Sequence, residues 1–309
     1  MVAPEAVHEH QRRPVGIAVL PGPSARAQRL DQQLIHAASL PTRPERRPAA
    51  RVRIRRCGTR PRASAAADTL RGTKGQPVTQ ALPLWAENLA VFDTETTGVD
   101  TSGARIVSST IALLGGGGEV VERYDWLIDP GVEIPEAAAR VHGITTEVAR
   151  ASGVAAPVGV SQILEQLGAM LERGFPIVAY NAPFDLSLLR AETARHGLAW
   201  PGTPSPVIDP LVLDKQFDRY RKGKRTLEVV AAHYGVPLDG AHDAGEDAIA
   251  AGRVAQALAR RFAHVLPEEV TALHDAQIAW AAAQAENFQE YTRRVRDPNF
   301  VADGAWPVR

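Results

Sequence analysis

Asp93 and Glu95 stand two residues apart in Phe92-Asp93-Thr94-Glu95-Thr96-Thr97-Gly98, at the end of the apolar run Leu89-Ala90-Val91. On an extended strand alternate side chains share a face, so these carboxylates project to one side about 7 Å apart. Such a pair repels itself unless cations intervene, and a hard divalent ion takes oxygen ligands of this kind. An Asp-x-Glu arises by chance about once in 300 residues, so its meaning depends on acidic partners elsewhere.

Two further stretches supply them. In Tyr180-Asn181-Ala182-Pro183-Phe184-Asp185 a strand ends at Asn181, Pro183 suits a first helical turn, and Asp185 falls within that turn near the positive end of the helix dipole. In Ala241-His242-Asp243-Ala244-Gly245-Glu246-Asp247 the spacing of Asp243 and Glu246 predicts a helix with Asp243 as its N-cap. On one continuous helix His242 and Asp247 would lie about 140° apart, but a break at Asp243 lets them converge. Taken singly, Asp185 reads as a helix-stabilising aspartate and His242 as a loop histidine. Together Asp93, Glu95, Asp185, Asp247 and His242 offer four oxygen ligands and one group that titrates near neutrality. Four carboxylates around one point demand compensation by cations. Two Mg2+ or Mn2+ ions suit phosphodiester hydrolysis, with neutral His242 taking the proton of the attacking water.

The elements that must position these groups follow from pattern. Residues 87–96, 106–114 and 120–128 read as strands, with Gly115-Gly116-Gly117-Gly118 as the turn between the last two, and short connections favour an antiparallel meander. A short helix starts at 135–140, an amphipathic helix covers 161–173, a buried strand 176–180, a helix 183–196 and a short strand 207–209. Further helices cover 226–234, 243–262 and 267–296. Strands first, then alternating helix and strand, predict an α/β fold with a mixed sheet flanked by helices.

The chain has 309 residues, 35 basic and 35 acidic, unevenly distributed. Residues 1–75 hold 15 Lys and Arg against 5 Asp and Glu, which leaves the remainder net −10. Residues 1–80, rich in Pro, Arg and Ala, read as a disordered basic extension, either an arm that tracks nucleic acid, a targeting peptide or a segment without function. Residues 85–264 form the expected catalytic domain and 265–309 a C-terminal helical extension. Cys57 is the only cysteine, which excludes an intramolecular disulfide and a cysteine-rich zinc cluster and fits a reducing, cytoplasmic setting. No apolar run approaches the ~18 residues of a membrane span, so no membrane partner is expected.

The motifs resemble those of the DnaQ-like, DEDDh-type 3′-to-5′ exonucleases, which include the epsilon proofreading subunit of bacterial DNA polymerase III. The resemblance rests on the Asp93/Glu95 stretch, Val141-His142-Gly143-Ile144-Thr145, Asn181-x-x-x-Asp185 and His242-x-Ala244-x-x-Asp247-Ala248, in matching order, over about residues 87–262. It implies an RNase H-like fold, Asp93, Glu95, Asp185 and Asp247 as metal ligands, and His242 as general base. It excludes the branch with a Tyr four residues before the last Asp, a place held here by Asp243. It also implies that Thr96 and Thr97, with Phe184 and His142, contact the 3′-terminal nucleotide of a single strand. DNA and RNA both remain open as substrate, as does a proofreading or structural role beside DNA polymerase III subunits.

Two features lie outside the motifs. Lys215, Arg219, Arg221, Lys222, Lys224 and Arg225 concentrate charge that reads either as phosphate contacts or as a solvated helix end. Val270, Leu273, Trp280, Phe288, Tyr291 and Val295 line one face of the last helix, suited to packing on its own domain or to a partner.

Overall fold

The structure, a computed structural model, describes residues 82–238 and 242–309. The expectations for residues 1–80, Cys57 included, lie outside the described residues. After a 3-10 turn at Leu84–Ala86 come β1 (Leu89–Thr96), β2 (Ile106–Leu114) and β3 (Val120–Asp129), then α1 (Glu136–His142), α2 (Thr146–Ser152), β4 (Val154–Ala155) and α3 (Ala156–Glu172). β5 (Ile177–Val178), α4 (Ala182–Arg195), β6 (Val207–Ile208), α5 (Pro210–Phe217), α6 (Leu227–His233), α7 (Ala244–Phe262) and α8 (Val270–Val295) complete the order.

The sheet has six strands in the order β4-β3-β2-β1-β5-β6, with β1, β2 and β3 antiparallel and β4, β5 and β6 parallel to their neighbours. This is the mixed, helix-flanked sheet expected from the pattern. β1 is central and covered on both faces, which explains its unbroken apolar start. Leu89 and Val91 meet Ala248, Ala251, Val254 and Ala255 of α7, while Ala90 and Phe92 meet Ile163 and Met170 of α3 and Leu186 and Leu189 of α4. Small side chains on α7 let it lie close to the sheet.

Three differences from the sequence-based expectation have local causes. Helix α5 was not anticipated, although Asp209 caps it through Leu211 N–H (2.9 Å) and Pro210 occupies its first turn. Helix α2 likewise starts at a capping Thr145, whose hydroxyl accepts from Val148 N–H (3.3 Å). Helix α3 begins five residues before position 161, because Pro157 sits in its first turn, where a missing N–H costs nothing.

The last helix packs largely on its own sheet. Leu273 is fully buried, and His274 and Gln277 cover the edge strand β6: Val207 N–H donates to His274 Nδ1 (3.0 Å), Asp209 N–H to Gln277 Oε1 (2.7 Å), and Gln277 Nε2 to the Val207 carbonyl (3.0 Å). An exposed edge of unpaired backbone groups is thereby closed. Of the apolar stripe, Tyr291 and Val295 remain exposed at the far end of the helix. Among the described residues no helix is long and apolar enough to cross a membrane.

Candidate active site

Strand alternation places Asp93 and Glu95 on the face of β1 that Leu89 and Val91 direct toward α7, and the first turn of α7 brings Asp247 to them. One oxygen from each of Asp93, Glu95 and Asp247 lies within 4.8 Å of the other two. The turn before α7 forms as anticipated: the Asp243 carboxylate accepts from Gly245 N–H (3.0 Å) and Glu246 N–H (3.3 Å). Arg123 of β3 reaches across to Asp243 (3.8 Å) and Glu246 (3.6 Å), steadying that turn from the neighbouring strand.

Asp185 stands outside this triad and approaches β1 through Thr94, whose side chain points away from Asp93 and Glu95. Its Oδ1 accepts from Thr94 N–H (3.1 Å) and from Thr94 Oγ1 (2.6 Å), and the residue is only 3% exposed. Thr94 therefore does more than separate the two acids. It fixes the third beside them.

Burial and mutual repulsion act together on these groups. Burial, then the charges of Asp185, Asp247 and Glu95, push Asp93 well above the usual carboxylate range. Glu95 is pushed up to about 8 by burial, then by Asp247 and Asp185. Asp247 rises to about 7 through burial, opposed by the His242 N–H and supported by Asp243, Glu246 and Glu228. Asp185 also rises to about 7 through burial, against the hydrogen bonds of Thr94. The metal-free cluster thus retains protons near neutrality. A donor set of crowded carboxylate oxygens with raised affinity for positive charge fits a hard divalent cation.

The backbone of His242 meets Asp247: its N–H donates to Asp247 Oδ2 (3.1 Å). Its φ of 69° turns the chain sharply into the α7 cap, and its imidazole is exposed. His142, at the end of α1, accepts from Ile144 N–H at Nδ1 (3.2 Å), while its shielded Nε2 meets no hydrogen-bond partner of good geometry among the described residues. Burial lowers the His142 pKa, the Thr96 carbonyl opposing and the nearby His242 adding to the effect.

Thr96 and Thr97 hold the loop after β1. Thr96 Oγ1 donates to the Gly98 carbonyl (2.6 Å), and Thr97 Oγ1 accepts from Arg105 N–H (2.9 Å). Phe184 is half-buried one residue before Asp185, its N–H donating to the Asn181 carbonyl (2.9 Å).

Sequence reasoning missed Asp209. Its carboxylate, 1% exposed, accepts from Asn181 N–H (3.0 Å), Ala182 N–H (3.0 Å), Leu211 N–H (2.9 Å) and Trp306 Nε1 (3.3 Å). One side chain therefore ties the start of α4, and with it Asp185, to α5 and to the C-terminal segment. The Asp209-Pro210 pair signalled a helix start, but nothing local signalled the second helix that it holds.

The six-residue basic cluster divides. Arg221 and Arg225 turn inward onto Asp214, which is fully buried, at 2.6 and 2.5 Å. These two are structural, which corrects their reading as phosphate contacts; Arg219, Lys222 and Lys224 are exposed.

The exonuclease family model matches residues 90–255, more than half of the chain and the whole stretch that carries these carboxylates. A "DNA polymerase III subunit epsilon-like protein" of Rhodobacter capsulatus is 30% identical over 74% of this chain and 30% of its own length. A "DNA polymerase III PolC-type" of Lacticaseibacillus paracasei is 31% identical over 56% of this chain and 11% of its own. The chain thus spans under a third of the length of these curated relatives. The solved structure of exonuclease I shares the fold, with a TM-score of 0.50 and 19% identity over 66% of this chain and 46% of that one. On the family match and the carboxylates it encloses, the chain belongs to the DnaQ-like exonuclease family.

Proposed function

We propose that this chain is a divalent-metal-dependent exonuclease that releases nucleoside monophosphates from the 3′ end of an unpaired DNA or RNA strand. The observation that carries the reading is the triad of Asp93, Glu95 and Asp247, whose oxygens lie within 4.8 Å of one another on the strand and helix that the family match encloses. Asp93, Glu95 and Asp247 would hold one ion, and Asp185 would complete the ligand set of a second, Mg2+ or Mn2+. Bound there, the cations supply the positive charge that makes water nucleophilic and stabilises the leaving oxygen.

The chain's own residues do the rest. His242 takes the proton of the attacking water at a ring nitrogen, its main chain anchored to Asp247 so that base and ligand move together. His142 offers its shielded Nε2 to the terminal nucleotide from the end of α1, beside the Thr96 carbonyl. Thr96 and Thr97 shape the loop against which that nucleotide rests, and Phe184 offers it an apolar side. Residues 85–264 are the exonuclease domain in this reading, followed by the extension of 265–309. A cytoplasmic setting is part of the same proposal.

Association with polymerase III subunits is the second reading. It is favoured by the names of the relatives and by Tyr291 and Val295, which stand exposed on α8. The test of the leading reading is digestion of 3′-labelled DNA and RNA oligonucleotides of matched sequence, beside a closed circle, with and without Mn2+. Labelled mononucleotide and an intact circle are expected; internal nicking of the circle contradicts the reading.

A further inference from the structure

The loop 218–225 between α5 and α6 is built from its own arginines. Asp214 takes Arg221 Nη2 (2.6 Å) and Arg225 Nη1 (2.5 Å) on Oδ2 and the Tyr234 hydroxyl (3.0 Å) on Oδ1. The same two guanidinium groups clamp the loop's main chain, Arg225 donating to the Asp218 carbonyl (2.7 Å) and Arg221 to the Lys224 carbonyl (3.3 Å). With the loop pinned from inside, Arg219, Tyr220, Lys222 and Lys224 face outward. Tyr220 is 89% exposed, so its ring buries almost nothing on its own domain. Arg219, Lys222 and Lys224 form no ion pair among the described residues, in a body that is net −10 from residue 76 onward.

The loop stands at the catalytic end of the sheet. The Tyr180 hydroxyl, which follows β5 and precedes the Asn181–Asp185 turn, donates to the Arg225 carbonyl (2.6 Å). Glu228, in the first turn of α6 just beyond the loop, lies close enough to Asp247 for its charge to act on that carboxylate. An aromatic plane and three cations on a braced loop offer what an unpaired polynucleotide presents: flat bases and regularly spaced phosphates. We infer that Tyr220, flanked by Arg219, Lys222 and Lys224, is a stacking subsite that holds a base of the strand upstream of the scissile 3′ linkage. Stacking needs only a π-face, so the subsite grips without reading sequence and serves DNA and RNA alike.

This subsite rests on the exonuclease reading, and the test keeps the two apart. Hydrolysis of the p-nitrophenyl ester of thymidine 5′-monophosphate, which occupies only the terminal site, is compared with that of 20-nucleotide dT and U strands, in the wild type, Tyr220→Ala and Tyr220→Phe. Binding of both strands is followed by fluorescence anisotropy. Tyr220→Ala is expected to raise KM and Kd for both strands about 5- to 150-fold, with kcat and ester hydrolysis unchanged and Tyr220→Phe close to wild type. Wild-type KM and Kd in Tyr220→Ala overturn the subsite while leaving the catalytic reading intact. A wild type inert on every substrate defeats the catalytic reading. The anisotropy series then still decides the subsite, in favour if Tyr220→Ala alone loses binding and against if Tyr220→Ala binds like the wild type.

Discussion

Gly252 sets how close α7 lies to the sheet, and a single methyl group there tests the claim that this spacing delivers Asp247 to β1. A Cβ built on Gly252 falls 2.4 Å from Val91 Cγ1 and 2.5 Å from Leu114 Cδ1, both on fully buried side chains. Carbon atoms settle at about 3.5–4.0 Å, so the methyl is about 1 Å or more too close to two neighbours at once. Overpacking of this kind costs about 1–3 kcal/mol, and the gain in helix propensity from Gly to Ala offsets only ~1 kcal/mol. Two fully buried neighbours met at once put Gly252→Ala near the upper end, a net loss of about 1–2 kcal/mol and a fall in Tm of roughly 2–8 °C at this domain size. Gly168 in α3 is the control, since a Cβ there meets nothing within 4 Å. Gly168→Ala is expected to raise Tm by about 2–4 °C through helix propensity alone. Thermal unfolding with chelator present reads both. Because Asp247 lies five residues ahead of Gly252, Gly252→Ala is also expected to need more divalent ion for half-maximal activity. Equal or higher stability of Gly252→Ala refutes the reasoning, because α7 would then have room that the geometry denies it.

Other expectations follow from the same contacts. In metal-free protein Glu95 titrates near pH 8 and Asp185 and Asp247 near 7, against about 4 in an unfolded chain. The folded state therefore binds more protons between about pH 4 and 8, and stability falls as pH rises through that window, by at most ~1.4 kcal/mol per pH unit for each retained proton. Tm in chelator should drop from pH 5.5 to 8.5 and the drop should shrink with saturating Mg2+; a rise in chelator contradicts the crowded-carboxylate account. His242→Ala should lower kcat about 10²- to 10⁴-fold while Mn2+ affinity, read by calorimetry, stays near wild type. Asp209→Ala strands the buried N–H of Ala182, at about 1–3 kcal/mol, and the half-buried N–H of Asn181, and should lower Tm and kcat together, whereas a loss of Tm alone removes Asp209 from the positioning of Asp185.

What the sequence made legible was local. The apolar runs of β1 and β2, the Asp243 cap before α7 and the spacing inside each acidic motif all depend on residues within a few positions of one another. The Asp93 and Glu95 face followed from strand alternation alone. The meetings across the chain were not legible. Nothing in the spacing says that Thr94 would hold Asp185, that Asp209 would hold Asn181 and Ala182, or that Trp306 would return to Asp209. Composition also counts charges without their partners. Arg221 and Arg225 added to the basic cluster on paper, yet both are consumed by Asp214. Tyr220 passed unnoticed because an aromatic residue reads as core until the fold leaves it outside.

The central claim is that Asp93 gathers cations which the reaction needs. Its most direct test is the rate of mononucleotide release from a 3′-labelled single strand against free Mn2+, in the wild type and in Asp93→Asn, with folding of both checked by circular dichroism. The wild type should show no turnover in excess EDTA and a rate that rises to saturation with Mn2+, and folded Asp93→Asn should remain without activity throughout. Turnover in EDTA, or a wild-type rate in Asp93→Asn, contradicts the account.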